Sequence, residues 1–138
     1  MASFLDTNVL VYAVDASDPR KRAAALAILE DEARYLVVSA QVLEEFYWTV
    51  TRKLRPPMPA DEAQAMVREL TRATDVVAVD ASLVQDAIDL AQRTPLALWD
   101  AAIVIAAERG GCRELLTEDL NDGQEIEGVL VRDPFMGT

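Results

Sequence analysis

The sequence predicts an α/β fold, a short parallel sheet of about four to five strands with helices on both faces. Two observations carry that reading. Short apolar runs alternate along the chain with longer segments rich in helix formers, so each strand is followed by a helical crossover. The runs are apolar at consecutive positions, as in "YLVVS" and "VVAV", which is the pattern of strands covered on both sides. With 138 residues, 51% of them hydrophobic and 27% charged, the chain has material for one core and not for two, so one domain is expected over residues 1–138.

The first strand is expected at Ala2 to Leu5, and a short apolar helix follows from about Asn8 to Ala13. Asp18 then precedes Pro19, an N-cap with proline at the first helical position, and opens a helix over "RKRAAALAILEDEAR". "YLVVS", Tyr35 to Ser39, is the second strand, and Ser39 caps the helix "AQVLEEFYWTVTRKL". In that helix the aromatics Phe46, Tyr47 and Trp48 are expected to pack inward. Arg55 to Pro59 holds three prolines and forms a rigid elbow inside the domain. A helix from about Ala60 to Arg72, a strand at Val76 to Val79, and a helix over "ASLVQDAIDLAQR" capped by Asp80 come next. After Thr94-Pro95, "ALWDAAIVIAAER" is helical and stops at Gly110-Gly111; "ELLT" and "GVLVRD" supply the last strands.

The chain has no histidine and a single cysteine, Cys112. Catalysis by a His base, His-ligated metals and an internal disulfide are therefore excluded, and Cys112 reads as a small packed residue. The most apolar window, "LALWDAAIVIAA", is interrupted by charge and falls short of the roughly 18 to 20 apolar residues of a membrane span. The N-terminus shows no secretion signal, so a cytoplasmic protein away from membranes is expected.

Carboxylate is what remains abundant: 24 Asp and Glu stand against 13 Lys and Arg, a net charge of -11. Residues 1–58 carry a net -1 and residues 59–138 a net -10, so the acidity lies in the second half. A field of this sign opposes non-specific nucleic-acid binding, and a polyanionic substrate would need local cations.

Four acids stand where a doubly wound sheet places its ligands, beyond the carboxyl ends of the strands. Asp6 closes the first strand in "FLDTNVL", where capping of the next helix is the plainer role. Glu44 and Glu45 lie on the helix after the second strand, about 100° apart, so only one of them faces a given site. Asp100 opens an otherwise apolar helix, where the helix dipole alone also favours an acid. Asp119 follows the strand "ELLT", in a stretch that also reads as a solvated turn. Brought together, such carboxylates repel unless a cation intervenes, and Mg²⁺ or Mn²⁺ suits an all-oxygen site.

Over nearly its whole length the chain resembles the PIN-domain ribonucleases, most closely VapC, the toxin component of VapBC-type toxin–antitoxin pairs. The resemblance rests on "FLDTNVLVYA", "VVSAQVLEEFYWTV" and "LALWDAAIVIAAERGGCRELLTEDLNDGQEIEGVLVRDPF", above all on Asp-Thr-Asn, Trp-Asp-Ala-Ala-Ile and Thr-Glu-Asp-Leu. It implies a three-layer α/β/α PIN-like fold and a catalytic set of Asp6, Glu45, Asp100 and Asp119, with Glu45 chosen over Glu44 by its spacing from Ser39. Asp6, Asp100 and Asp119 would hold Mg²⁺, or Mn²⁺, for hydrolysis of RNA phosphodiesters, and Thr7, Asn8, Ser39 and Thr117 would support them. The partners implied are RNA, a cognate antitoxin and a second copy in a homodimer. The strong acidity departs from a comfortable RNA-binding surface, and Asp122 stands where relatives often carry other polar residues.

Arg20, Lys21 and Arg22, and Arg52, Lys53 and Arg55, are the cationic clusters of the near-neutral half, and are expected to approach RNA if they are more than solvated helix ends. Two other functions fit the same features: a PIN-fold interaction module without turnover, or a phosphatase with Asp6 as nucleophile. The phosphatase chemistry usually shows a second Asp two residues on, where this chain has Asn8.

Overall fold

The computed structural model describes residues 2–137. Six strands, β1 (Ala2–Leu5), β2 (Tyr35–Ser39), β3 (Asp75–Val77), β4 (Glu114–Leu116), β5 (Glu125–Ile126) and β6 (Val129–Arg132), form one sheet in the order β3-β2-β1-β4-β6-β5. All neighbours are parallel except β5, which runs antiparallel to β6. The helices are α1 (Thr7–Tyr12), α2 (Pro19–Glu30), α3 (Ala40–Arg52), α4 (Ala60–Ala73), α5 (Ala81–Arg93) and α6 (Leu98–Arg109).

The chain builds outward from β1 to β2 and β3, then returns past β1 to place β4 on its other side. Right-handed crossovers therefore put α1 to α4 on one face and α5 and α6 on the other, three layers in all. On the first face α3 packs against α1 and α4; on the second α5 covers α6, which lies on β2, β4 and β6. Burial follows this layering. Phe4 and Leu5 on the central strand have no exposure, and residues Ala101 to Ala107 of α6 are all buried, as a helix apolar on every side must be.

Where the structure departs from the sequence expectation, a local competitor explains it. Helix α2 ends at Glu30 rather than continuing to Arg34, because the Asp31 carboxylate accepts the Ala33 N–H at 3.0 Å and turns the chain. Strand β3 ends at Val77 rather than Val79, since its partner β2 stops at Ser39 to cap α3 and leaves nothing for Ala78 and Val79 to pair with. The sixth strand, β5, has no counterpart in the sequence expectation. It pairs Ile126 with Val129 across a two-residue turn in which Glu127 (φ 53°) and Gly128 (φ 78°) both take positive φ, as a primed hairpin turn requires. Glu-Gly lacks the Asn or Asp that usually marks such a turn.

The aromatics of α3 divide. Phe46 is buried as expected, whereas Tyr47 and Trp48 are 39% and 49% exposed, because α3 sits between α1 and α4 and turns only one face inward. At the end of α6, Gly110 approaches the sheet so closely that a Cβ there would lie 2.8 Å from Val37 Cγ1.

Candidate active site

The strand order reverses between β1 and β4, and the crevice at their carboxyl ends is the switch point where such sheets bind ligands. Asp6 follows β1, and its backbone N–H continues the ladder to the Leu116 carbonyl at 3.0 Å. Its side chain does two jobs. One carboxylate oxygen caps α1 by accepting the Thr7 N–H at 2.7 Å, and the other accepts the Thr117 hydroxyl at 2.8 Å.

Thr117, the first residue after β4, is fully buried and uses its whole hydrogen-bonding capacity here. Its hydroxyl donates to Asp6 and accepts from Asn8 Nδ2 and from the Asp119 N–H, each at 3.1 Å. Asn8 Nδ2 also donates to Asp119 Oδ2 at 3.1 Å, and Asn8 Oδ1 accepts the Glu118 N–H at 3.4 Å. Residues at the start of α1 thus lock the loop that carries Asp119. From α3, Glu45 is held by the Thr7 hydroxyl at 3.2 Å and by Gln41 Nε2 at 3.4 Å. Gln41 also reaches the Trp99 carbonyl at 3.4 Å, which ties α3 to the start of α6. Asp100, in the first turn of α6, shares a cleft of about 300 Å³ with Asp119.

The electrostatics are those of crowded acids. Burial pushes the Asp6 carboxyl up to about 6 despite its hydrogen bonds, and the charges of Asp119 and Glu45 push in the same direction. Asp100 is also raised, first by burial and then by Asp119. Among the described residues no Lys or Arg forms an ion pair with Asp6, Glu45, Asp100 or Asp119. The opposite end of the sheet shows the contrast, where buried Ser3 and Arg34 satisfy Glu114 at the first residue of β4.

An all-carboxylate donor set with no protein cation fits a divalent metal, and Asp6, Asp100 and Asp119 are the residues that could hold one. Among the described residues no three His, Cys, Asp or Glu side chains are arranged to hold an ion by themselves. Water would complete the shell, which is the habit of Mg²⁺.

The other expected residues fall into place unevenly. Glu44 faces a groove against Ala60, Asp61 and Gln64 on α4 and also the edge of a cleft that Glu45 lines, but the hydrogen bonds from Thr7 and Gln41 go to Glu45. Ser39 caps α3 through the Val42 N–H, and so acts on the site by fixing that helix. Asp122 accepts the Asp133 N–H at 2.9 Å and closes the loop around β5 and β6. Lys21 does not stand free: it pairs with Glu118 at 2.8 Å, bonds the Tyr12 hydroxyl and lies 4.7 Å from the centre of the Tyr12 ring. Arg22 Nε points back to the Ala13 carbonyl at 3.4 Å, and Arg20 is exposed. Arg52 and Lys53 are exposed and make no ion pair among the described residues. Sequence reasoning missed the Lys21–Glu118–Tyr12 cluster and the Gln41 bridge, for which no spacing signal exists.

Among the described residues no helix is long and apolar enough to cross a membrane. Among solved structures the chain is similar to a toxin-antitoxin complex from Klebsiella pneumoniae, with 21% identity over 96% of this chain and 97% of that one and a TM-score of 0.70. It is also similar to VapC20 of Mycobacterium tuberculosis, described as a toxin that cleaves the sarcin-ricin loop, with 23% identity over 82% and 86% of the two chains and a TM-score of 0.67. A third likeness is to VapBC-1 of nontypeable Haemophilus influenzae, at 18% identity, 97% and 98% coverage and a TM-score of 0.66. At these identities the likeness is one of fold. No curated protein matches the chain. The PIN domain family model matches residues 3–122, a span that runs from the strand carrying Asp6 past the loop carrying Asp119, and the chain belongs to the PIN-domain family.

Proposed function

We propose that the protein is a metal-dependent endoribonuclease that hydrolyses RNA phosphodiester bonds and acts as the toxin of a type II toxin–antitoxin system. The observation that carries this reading is Asp6: a buried carboxyl at the switch point, raised to about 6, beside two further acids and no protein cation. Such a group calls for a bound cation, and Asp6, Asp100 and Asp119 would hold Mg²⁺ or Mn²⁺ with water filling the remaining positions.

When bound, the ion supplies Lewis-acid activation of water at neutral pH and charge stabilisation at the phosphate. This chain's own residues do the positioning. Thr117 and Thr7 fix both oxygens of Asp6, so the carboxylate does not rotate, and Asn8 and Thr117 hold Asp119 to it. Glu45, oriented by Thr7 and Gln41, would accept a hydrogen bond from the attacking water and aim it. No histidine is needed for any of these tasks.

The toxin role, a cognate antitoxin, a homodimer and a cytoplasmic location complete the proposal; the likeness to solved toxin-antitoxin complexes supports the antitoxin. Purified protein incubated with a mixed tRNA, rRNA and mRNA pool, with Mg²⁺, Mn²⁺ or chelator and end mapping, is expected to cut in the metal lanes only. Metal-dependent cutting retained by purified Asp6→Asn overturns the assignment. A second reading, a PIN-fold interaction module without turnover, is favoured by the absence, among the described residues, of three acids arranged to hold an ion unaided. Calorimetric titration with Mg²⁺ and Mn²⁺ separates the two, since the module binds neither.

A further inference from the structure

Next to the acid crevice lies an open cleft of about 960 Å³ lined by Gln41, Glu45, Tyr47, Trp48, Lys53 and Trp99, with Glu44 and Thr49. Its two indoles come from different elements, Trp48 from α3 and Trp99 from the first turn of α6, and are 49% and 68% exposed. Large aromatics left in water on a chain of net charge -11 are a feature that packing does not explain. The cleft is joined to the acids at three points. Glu45 belongs to both, being Coulombically coupled to Asp6, and Trp99 is the residue before Asp100. Lys53 also belongs to both, because it lines a second cleft with Thr7, Asn8 and Asp119.

The charges at the Trp48 indole have the sign a nucleic-acid strand needs. Arg52 Cζ lies 5.6 Å and Lys53 Nζ 5.0 Å from the centre of the Trp48 ring, and neither forms an ion pair among the described residues. Stacking surface beside unpaired cations is the chemistry that binds single strands, in which bases are free to leave their neighbours and phosphates meet Lys and Arg. A paired duplex presents neither the base face nor the flexibility to enter a cleft bounded by two helices. An apolar protein helix laid over the indoles would take the Lys53 ammonium out of water with no carboxylate paired to it among the described residues, whereas an RNA phosphate supplies that partner.

We propose that this cleft is a base-stacking subsite, in which Trp48 and Trp99 take an unpaired nucleobase of the RNA while Lys53 meets the phosphate between that base and the acid crevice. The inference rests on the ribonuclease reading for its ligand and adds to it a requirement for an unpaired nucleotide beside the cut. Trp48 and Trp99 are then specificity residues, and Lys53 is shared between binding and the approach to the metal site.

The test uses the full chain in chelator, with a mixed-sequence single-stranded RNA 12-mer and the same strand in a perfect duplex as probes. Tryptophan fluorescence is expected to quench with the single strand and not with the duplex. Trp48→Ala and Trp99→Ala each weaken single-strand affinity by about 5- to 100-fold, while Trp48→Phe and Trp99→Phe keep most of it. In the cleavage assay with Mg²⁺ the Ala variants raise KM with kcat retained. Unchanged affinity in both Ala variants, with wild-type cleavage intact, overturns the subsite and leaves the ribonuclease reading standing. Quenching that depends on both indoles, in a protein that cleaves nothing, supports the subsite and overturns the ribonuclease reading. Loss of self-association in the Ala variants, measured by light scattering, with RNA affinity unchanged, assigns the face to a second copy of the chain and also overturns the proposal.

Discussion

Asp6 is held at a cost to the fold. Its carboxyl is raised from 3.8 to about 6, so in the metal-free chain the folded state keeps the proton more tightly than the unfolded state does. Stability from this group is therefore greatest below the unfolded value, declines as pH rises towards 6, and is flat above it; the shift corresponds to about 3 kcal/mol. Asp6→Asn has no charge to desolvate. In chelator it is expected to show a flatter pH dependence of the urea midpoint between the two values and a higher midpoint at neutral pH, with cleavage abolished. A wild-type slope in Asp6→Asn would show that Asp6 does not carry the charge burden. Added Mg²⁺ should raise the melting temperature of the wild type and not that of the variant, since only a state that binds the ion gains from it. The neighbouring question, Glu44 against Glu45, is tested at the same scale by opposite expectations. Glu45→Gln lowers kcat by about 10- to 100-fold, because the carboxylate held by Thr7 and Gln41 is the one that meets the site. Glu44→Gln, in its groove against α4, leaves kcat unchanged in the same assay.

At the scale of elements, the junction of α6 with the sheet sets how accurately Asp100 is presented. Gly110 ends that helix with an ordinary φ of -74°, so its need for glycine is one of space and not of backbone conformation. A methyl there would sit 2.8 Å from Val37 Cγ1 and 3.2 Å from Val77 Cγ2, with Val37 fully buried on β2. Gly110→Ala is expected to lower unfolding stability by about 1 to 3 kcal/mol. Adding Val37→Ala should recover part of the loss, a coupling that urea denaturation of the four proteins in the cycle reads directly. Additive losses would place the strain elsewhere. The β5–β6 hairpin closes the other side of the crevice, where Ile126 and Gln124 line the cleft shared by Asp100 and Asp119.

Over the whole molecule, charge opposes the function that the site proposes. A net charge of -11 repels RNA, so the few unpaired cations near the crevice decide where the strand approaches. Lys21 is committed to Glu118, Arg22 is turned towards a backbone carbonyl and Arg20 is exposed; the end of α3 is the cationic approach next to the acids, because Lys53 lines clefts with Glu45 and with Asp119. The double variant Arg52→Glu, Lys53→Glu should weaken RNA affinity and flatten its dependence on salt, as fewer phosphate contacts release fewer counterions. Equal affinity to the wild type at low and high salt would remove these residues from the binding surface.

The sequence by itself determined the alternation of strands and helices, the caps at Asp18, Ser39 and Asp80, and the positions of four acids at or near strand ends. Each of these is written in neighbours a few residues apart, through apolar runs, capping side chains and proline or glycine punctuation. Only the tertiary structure decided which carboxylates share one crevice, that Glu45 rather than Glu44 turns towards Asp6, that Lys21 is bound to Glu118, and that Trp48 and Trp99 stay in water. Thr117 donating to Asp6 joins residues 111 apart, and no local pattern specifies such a pair. Its occurrence depends on strand order, on β4 returning to the open side of β1, and that order belongs to the packing of the whole sheet.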